Sequence, residues 1–102
     1  MAAYIIGRVE MRDTAWTAEY VPKTRALVQQ HGGKLLVGSG CAMEVLEGER
    51  KLPSAIIVLE FPSMEQAKAW YDDPEYAPLI KLRQTGADAD IVVVDGGEPS
   101  PL

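Results

Sequence analysis

The chain has 102 residues and a mass of 11.1 kDa, which fits one domain over about residues 1–96 and leaves no room for two. Hydrophobic residues make up 47% and charged residues 25%, a globular composition, and no apolar run approaches the roughly 20 residues that a membrane span needs. Ten Lys and Arg stand against fifteen Asp and Glu, a net charge of −5, so there is no basic stripe for nucleic acid and no acidic block either.

The first segment, Ala3 to Met11, reads as a strand. Ile5, Gly7 and Val9 would face one side, and Tyr4, Ile6, Arg8 and Glu10 the other. Arg12-Asp13-Thr14 then breaks the strand, with Asp13 or Thr14 as the expected helix cap. A helix is expected from about Ala15 to His31, with Trp16, Tyr20, Thr24, Leu27 and Val28 on its apolar stripe. Pro22 lies inside that helix and is expected to kink or divide it. Gly32-Gly33 ends it.

Lys34 to Leu46 reads as a second strand, irregular at Gly38-Ser39-Gly40. Residues 47–53 form a polar connection. Ser54 to Phe61 is the most apolar strand, with no charge until Glu60. Ser63-Met64-Glu65-Gln66 matches a capping box and opens a helix that buries Met64, Ala67, Trp70 and Tyr71. Asp72-Asp73-Pro74 ends it. A turn over 74–77 then leads to a helix reaching about Thr85, with Gly86 closing it. Asp90 to Asp95 is the last strand, and the Gly/Pro-rich residues 97–102 form a loose tail.

Strand, helix, strand, strand, helix, strand is the α+β, ferredoxin-like βαββαβ order. Both helices then lie on one face of a four-stranded antiparallel sheet. The other face, with Ile6, Ile56, Val58 and Val92, is left open. A second copy of the chain is the simplest cover for it, so a homodimer is expected. Cys41, the single cysteine, cannot form an internal disulfide. With no secretory pattern at the start of the chain, a reducing cytoplasm is the expected location.

Several blocks resemble the family called domain of unknown function 1330. They are Asp13 with Tyr20, residues 31–36, residues 44–48, Leu59-Glu60-Phe61-Pro62-Ser63, Ala67-Lys68-Ala69-Trp70-Tyr71, and Pro74-Glu75-Tyr76 through Leu82-Arg83. The resemblance implies a dimeric α+β barrel, in which two sheets pack face to face across a dimer. It implies no chemistry. The chain departs from the pattern at Gly38 and about Ser54, where arginine is common, and near Arg50 or Lys51, where an aromatic is common.

Glu60 is the first candidate for chemistry: a carboxylate on an apolar strand is paired, here by Arg8 or Arg83, or serves as an acid or base. Tyr20, Trp70 and Tyr76 offer flat walls with polar tips, either for a pocket or for the core. Arg83 is placed to clamp a carboxylate or to neutralise a helix C-terminus. His31 is a second candidate base, or a cation favoured at the end of its helix. One His and one Cys make no metal site, no base accompanies Cys41, and no phosphate or dinucleotide loop is present, so no metal or cofactor is expected. The expected function is binding of a small aromatic or carboxylate-bearing metabolite between helices and sheet. The alternatives are a cofactor-independent monooxygenase or isomerase, for which fold analogy is the only support, and an assembly module without a ligand.

Overall fold

The structure, a computed structural model, describes residues 1–97. Apart from Gly97, the expected tail lies outside the described residues. The elements are β1 (Ala3–Met11), α1 (Thr17–Gln30), β2 (Lys34–Val37), β3 (Ala55–Phe61), α2 (Met64–Tyr71), α3 (Ala77–Gln84) and β4 (Ala87–Asp95). The strands form one open antiparallel sheet in the order β2-β3-β1-β4. This is the ferredoxin-like βαββαβ fold, with its second helix split into α2 and α3.

Alternation in β1 decides which way the sheet faces. Ala3, Ile5, Gly7 and Val9 are buried on the helix side, while Ile6 and Glu10 are exposed on the other. The register places Ile6 between Val58 and Val92, and Arg8 between Ile56 and Asp90. The open face therefore carries an apolar centre with a charged margin. No helix is long and apolar enough to cross a membrane among the described residues.

Several boundaries differ from the sequence reading. Helix α1 starts at Thr17, and no side chain caps it. The Asp13 carboxylate accepts instead from the Ala15 amide at 3.1 Å, because the Arg12 and Asp13 amides are tied to the Gly86 carbonyl. Pro22 does not divide α1. The missing donor would have reached the Ala18 carbonyl, and both residues are on the exposed side, where water can take that role. Strand β2 stops at Val37 rather than Leu46, after a register shift between Leu35 and Val37. The glycines that follow have no side chains to hold a strand edge. Strand β4 begins at Ala87, three residues earlier than expected, because Ala87 and Ala89 continue the inward face against Met11 and Val9.

Other local signals are realised in part: α2 buries Ala67 and Trp70 as expected, but Met64 is only half-buried and Tyr71, on the outer side, is exposed. The Ser63 hydroxyl accepts from the Gln66 amide at 3.2 Å, while the Gln66 side chain reaches across to the His31 carbonyl. Pro78 lies in the first turn of α3, where its missing N–H costs nothing. Gly32 takes φ +80° after α1. At Gly33 a Cβ would stand 2.5 Å from the Phe61 ring, so only glycine lets the chain cross there.

Helix α2 lies against β1, β3 and β4, and α3 against β4, whereas α1 leans chiefly on α3. The main core gathers Ala3, Ile5, Leu59 and Phe61 from the sheet with Ala67, Trp70, Tyr76 and Leu79 from above. A smaller cluster of Val9, Trp16, Ala55 and Ala87 closes the far end.

Candidate functional site

Between these two clusters the helices do not fill the sheet face. A cavity of about 460 Å³ lies beneath α1. Its floor is the row Ile57–Gly7–Ile91, three residues in register across β3, β1 and β4. Gly7 removes a side chain from the middle of that row. Its roof is Trp16, Tyr20, Thr24 and Val28, one per turn along the inner face of α1. Trp70, Tyr76 and Arg83 make the wall.

Four of the residues singled out in the sequence, Tyr20, Trp70, Tyr76 and Arg83, therefore meet at one site. Arg83 is 6% exposed. Its Nη1 donates to the Tyr76 hydroxyl at 2.9 Å and to the Tyr20 hydroxyl at 3.2 Å. The two phenol oxygens are 2.5 Å apart and share a further hydrogen bond. Trp70 stacks on Tyr76 with ring centroids at 4.5 Å, and Trp16 meets Tyr20 edge-on at 5.0 Å. The position of Arg83 in the last turn of α3 also favours its charge.

Burial shapes the ionisation of this cluster. It pushes the Tyr76 phenol far above the ordinary tyrosine value, and Tyr20 raises it further, while Arg83 offsets only part. Burial opposes the charge on Arg83, but the Tyr76 and Tyr20 oxygens outweigh it and hold the guanidinium above its usual value. Tyr76 is thus a neutral hydroxyl and Arg83 a fixed cation across the physiological range. Among the described residues no carboxylate lies within ion-pair distance of Arg83.

The two candidate bases stand elsewhere. Glu60 lies on the open face, with its carboxylate 3.2 Å from Lys34 Nζ. Its partner is thus neither Arg8 nor Arg83. Lys34 is directly opposite Glu60 in the β2–β3 ladder, whereas Arg8 is opposite Ile56 and donates to the Lys51 carbonyl. Arg83 is on the other side of the sheet. Glu60 is also what chiefly raises the pKa of the Tyr4 phenol, which lies opposite it in the β1–β3 ladder. His31 is bonded through Nε2 to Asp73 at 2.8 Å, fastening the end of α1 to the α2–α3 turn. Neither residue lines the cavity.

Sequence reading did not single out Gly7, Arg25 or Lys34 as lining residues. Gly7 carried a legible signal, since glycine at an inward strand position leaves space. Arg25 and Lys34 carried none, because exposed basic residues are common. No group of three or more His, Cys, Asp or Glu is placed to hold a metal among the described residues. Cys41 is free and exposed.

A family model described as "Domain of unknown function (DUF1330)" matches residues 2–97. No functionally curated protein matches the sequence. Solved structures share the fold at low identity. The RPA0582 protein of unknown function from Rhodopseudomonas palustris is 16% identical with TM-score 0.75, covering 96% of this chain and 84% of that one. A dimeric ferredoxin-like protein of unknown function from Bacteroides fragilis is 16% identical with TM-score 0.57, covering 92% and 95%. SnoaB from Streptomyces nogalater, a cofactor-independent oxygenase, is 10% identical with TM-score 0.59, covering 99% and 98%.

Proposed function

The chain belongs to this family of unknown function, and we propose that it acts as a homodimer that binds a small, largely aromatic or apolar molecule in the cavity beneath α1. The observation that carries the reading is the cavity itself: about 460 Å³ beside Tyr20, Trp70 and Tyr76, within the size range of ligand sites. An assembly module without a ligand would have no use for such a space, since interiors ordinarily close to crystal-like density.

Dimerisation rests on the open face. Ile6 is 38% exposed and Val92 55% exposed at its centre, and a lone apolar sheet face of this kind is a liability in water. A twofold partner covers it with the same surface. In this reading residues 1–96 form one folding unit, and a free Cys41 suits a reducing cytoplasm.

Binding is favoured over acid–base catalysis. Among the described lining residues there is no Asp, Glu or His to act as a base. The fold likeness to SnoaB keeps a cofactor-independent oxygenase or isomerase as the second reading. The polar groups it would draw on here are the Tyr20 and Tyr76 hydroxyls.

Native mass spectrometry of gently purified protein tests the proposal. A species at twice 11.1 kDa carrying a small extra mass is the expected result. A bare monomer would overturn the dimer. Failure of the protein to bind any member of a broad metabolite collection in a thermal-shift screen would overturn the ligand.

A further inference from the structure

We infer that the molecule taken up beneath α1 is a monoanion, a planar apolar carboxylic acid whose carboxylate is held by Arg83. The inference rests on the reading of the cavity as a ligand site and adds the charge of the occupant. Three observations carry it.

The first is a count of hydrogen-bond donors. Arg83 Nη1 serves both tyrosine oxygens, and one tyrosine donates to the other. That uses one phenolic proton of the two. The second has no acceptor among the described residues. Arg83 Nε and Trp70 Nε1 are also buried without a partner, and both residues line the cavity. The Thr24 hydroxyl, in the roof, is the third buried and unpartnered group. The site thus holds surplus donors, and buried donors left unmatched are costly. An acceptor-rich group is their complement.

The second observation is charge. The basic residues that touch the cavity are Arg25, Lys34 and Arg83, with no acidic residue among the described ones, and the Lys34 ammonium turns away to Glu60 on the open face. This runs against the net charge of −5 of the whole chain. Lys34 is shared with Glu60, and Arg25 is exposed, so one buried cation remains uncompensated. A single guanidinium calls for a single negative charge, and a carboxylate fits its fork. A doubly charged phosphate would leave a charge unbalanced in an apolar site.

The third is shape. The half-buried Tyr20 ring faces the remaining space, with Trp16 edge-on beside it and the fully packed Trp70 and Tyr76 behind, a stiff aromatic wall that suits a flat body.

A matched pair of probes separates the charge from the cavity. Full-length protein is titrated calorimetrically with 1-naphthoate and with 1-naphthamide, which share a shape and differ in charge. The acid is expected to bind at least about tenfold tighter at low salt, the ratio that a charge-assisted hydrogen bond supplies. Arg83→Met should bring the ratio close to one. Should that variant fail to fold by circular dichroism, the wild-type ratio and Arg83→Lys, which keeps the charge but not the fork, still decide. Equal binding of acid and amide overturns the inference and leaves the cavity reading standing. Binding of neither overturns both. Thr24→Trp, which fills the cavity from the roof, should abolish binding of both probes. Survival of acid binding in that variant would place it elsewhere and overturn the inference.

Discussion

One face of the sheet is built in two ways. Where β1 begins, Ala3, Phe61, Ala67 and Trp70 close over it with almost no exposure. Two rungs further along, Gly7 and the residues beside it meet empty space beneath α1. The strands are the same, and the register is continuous through both regions. The difference lies in which side chains point inward and in which helix covers them. Helix α2 lies directly on the strands, while α1 roofs the space with a row from Tyr20 through Thr24 to Val28, preceded by Trp16 at its N-cap. A filled region is tuned for stability, and a hollow one gives some of it up. Substitutions of similar kind should therefore act differently on the two sides.

The largest effect is expected at the filled end. Phe61 is fully buried, and its ring lies 5.6 Å from that of Trp70. Phe61→Ala should cost about 3–5 kcal/mol, the usual range for emptying an aromatic site in a core. Urea unfolding measures it. A loss below 1 kcal/mol would mean that this end is as loose as the cavity, and the contrast would disappear.

Tyr76 belongs to both regions, since it is buried in the core and bonded to Arg83. Tyr76→Phe keeps the packing and removes one acceptor from a buried cation. A loss of about 1–3 kcal/mol is expected, the cost of leaving a buried donor unmatched. The high pKa of Tyr76 gives a second readout. Because the folded value is raised, its contribution is complete below the unfolded tyrosine value of about 10 and is lost as pH climbs above it. Alkaline unfolding should therefore be less steep in Tyr76→Phe than in the parent. Identical alkaline transitions would remove Tyr76 from the account.

Glycine-to-alanine changes sharpen the contrast by reversing sign. At Gly7 a new Cβ meets Ile57 and Ile91 at 3.7 Å, an ordinary contact. Gly7→Ala should stabilise by about 0.5–1 kcal/mol through reduced chain entropy. It should also shrink the cavity and weaken binding of 1-naphthoate. At Gly33 the new atom would collide with the Phe61 ring, so the same change should destabilise. Melting temperatures of the two variants, measured side by side, decide the point. A fall at Gly7 would mean that the space beneath α1 is already used.

Much of this contrast was legible before the structure. The inward set Ile5, Gly7 and Val9 follows from strand alternation alone, and helical spacing brings Trp16, Tyr20 and Thr24 to one side. The meeting of Tyr20 with Tyr76 and Arg83 was not legible, because it depends on α1 leaning on α3, and contacts across 56 and 63 residues leave no local pattern. Glu60 shows the opposite problem. A carboxylate on an apolar strand reads as a buried acid, yet strand parity places it on the open face, and only the β2 register supplies Lys34 as its partner. The extent of β2 was misjudged because apolar residues such as Val45 and Leu46 read as strand, although they have no neighbouring strand to pair with.

The smallest effect concerns the clasp between the regions. His31 closes α1, and Asp73 opens the turn that carries Tyr76. The Asp73 carboxyl is held below its ordinary value, first by the bond from His31 and then by the Glu75 amide at 2.9 Å. A depressed carboxyl stabilises the fold above its unfolded value, about 4, and that contribution is lost as pH falls through the folded value. Urea midpoints should thus decline below about pH 4, and the decline should be shallower in Asp73→Asn, which cannot titrate. At neutral pH the variant should unfold slightly earlier than the parent, since an amide accepts more weakly than a carboxylate. The clasp joins the helix over the cavity to the turn before Tyr76. If it sets the position of α1, Asp73→Asn should also weaken binding of 1-naphthoate without altering the preference over the amide. A change in that preference would instead connect Asp73 to the charge of the site, although Asp73 does not line the cavity.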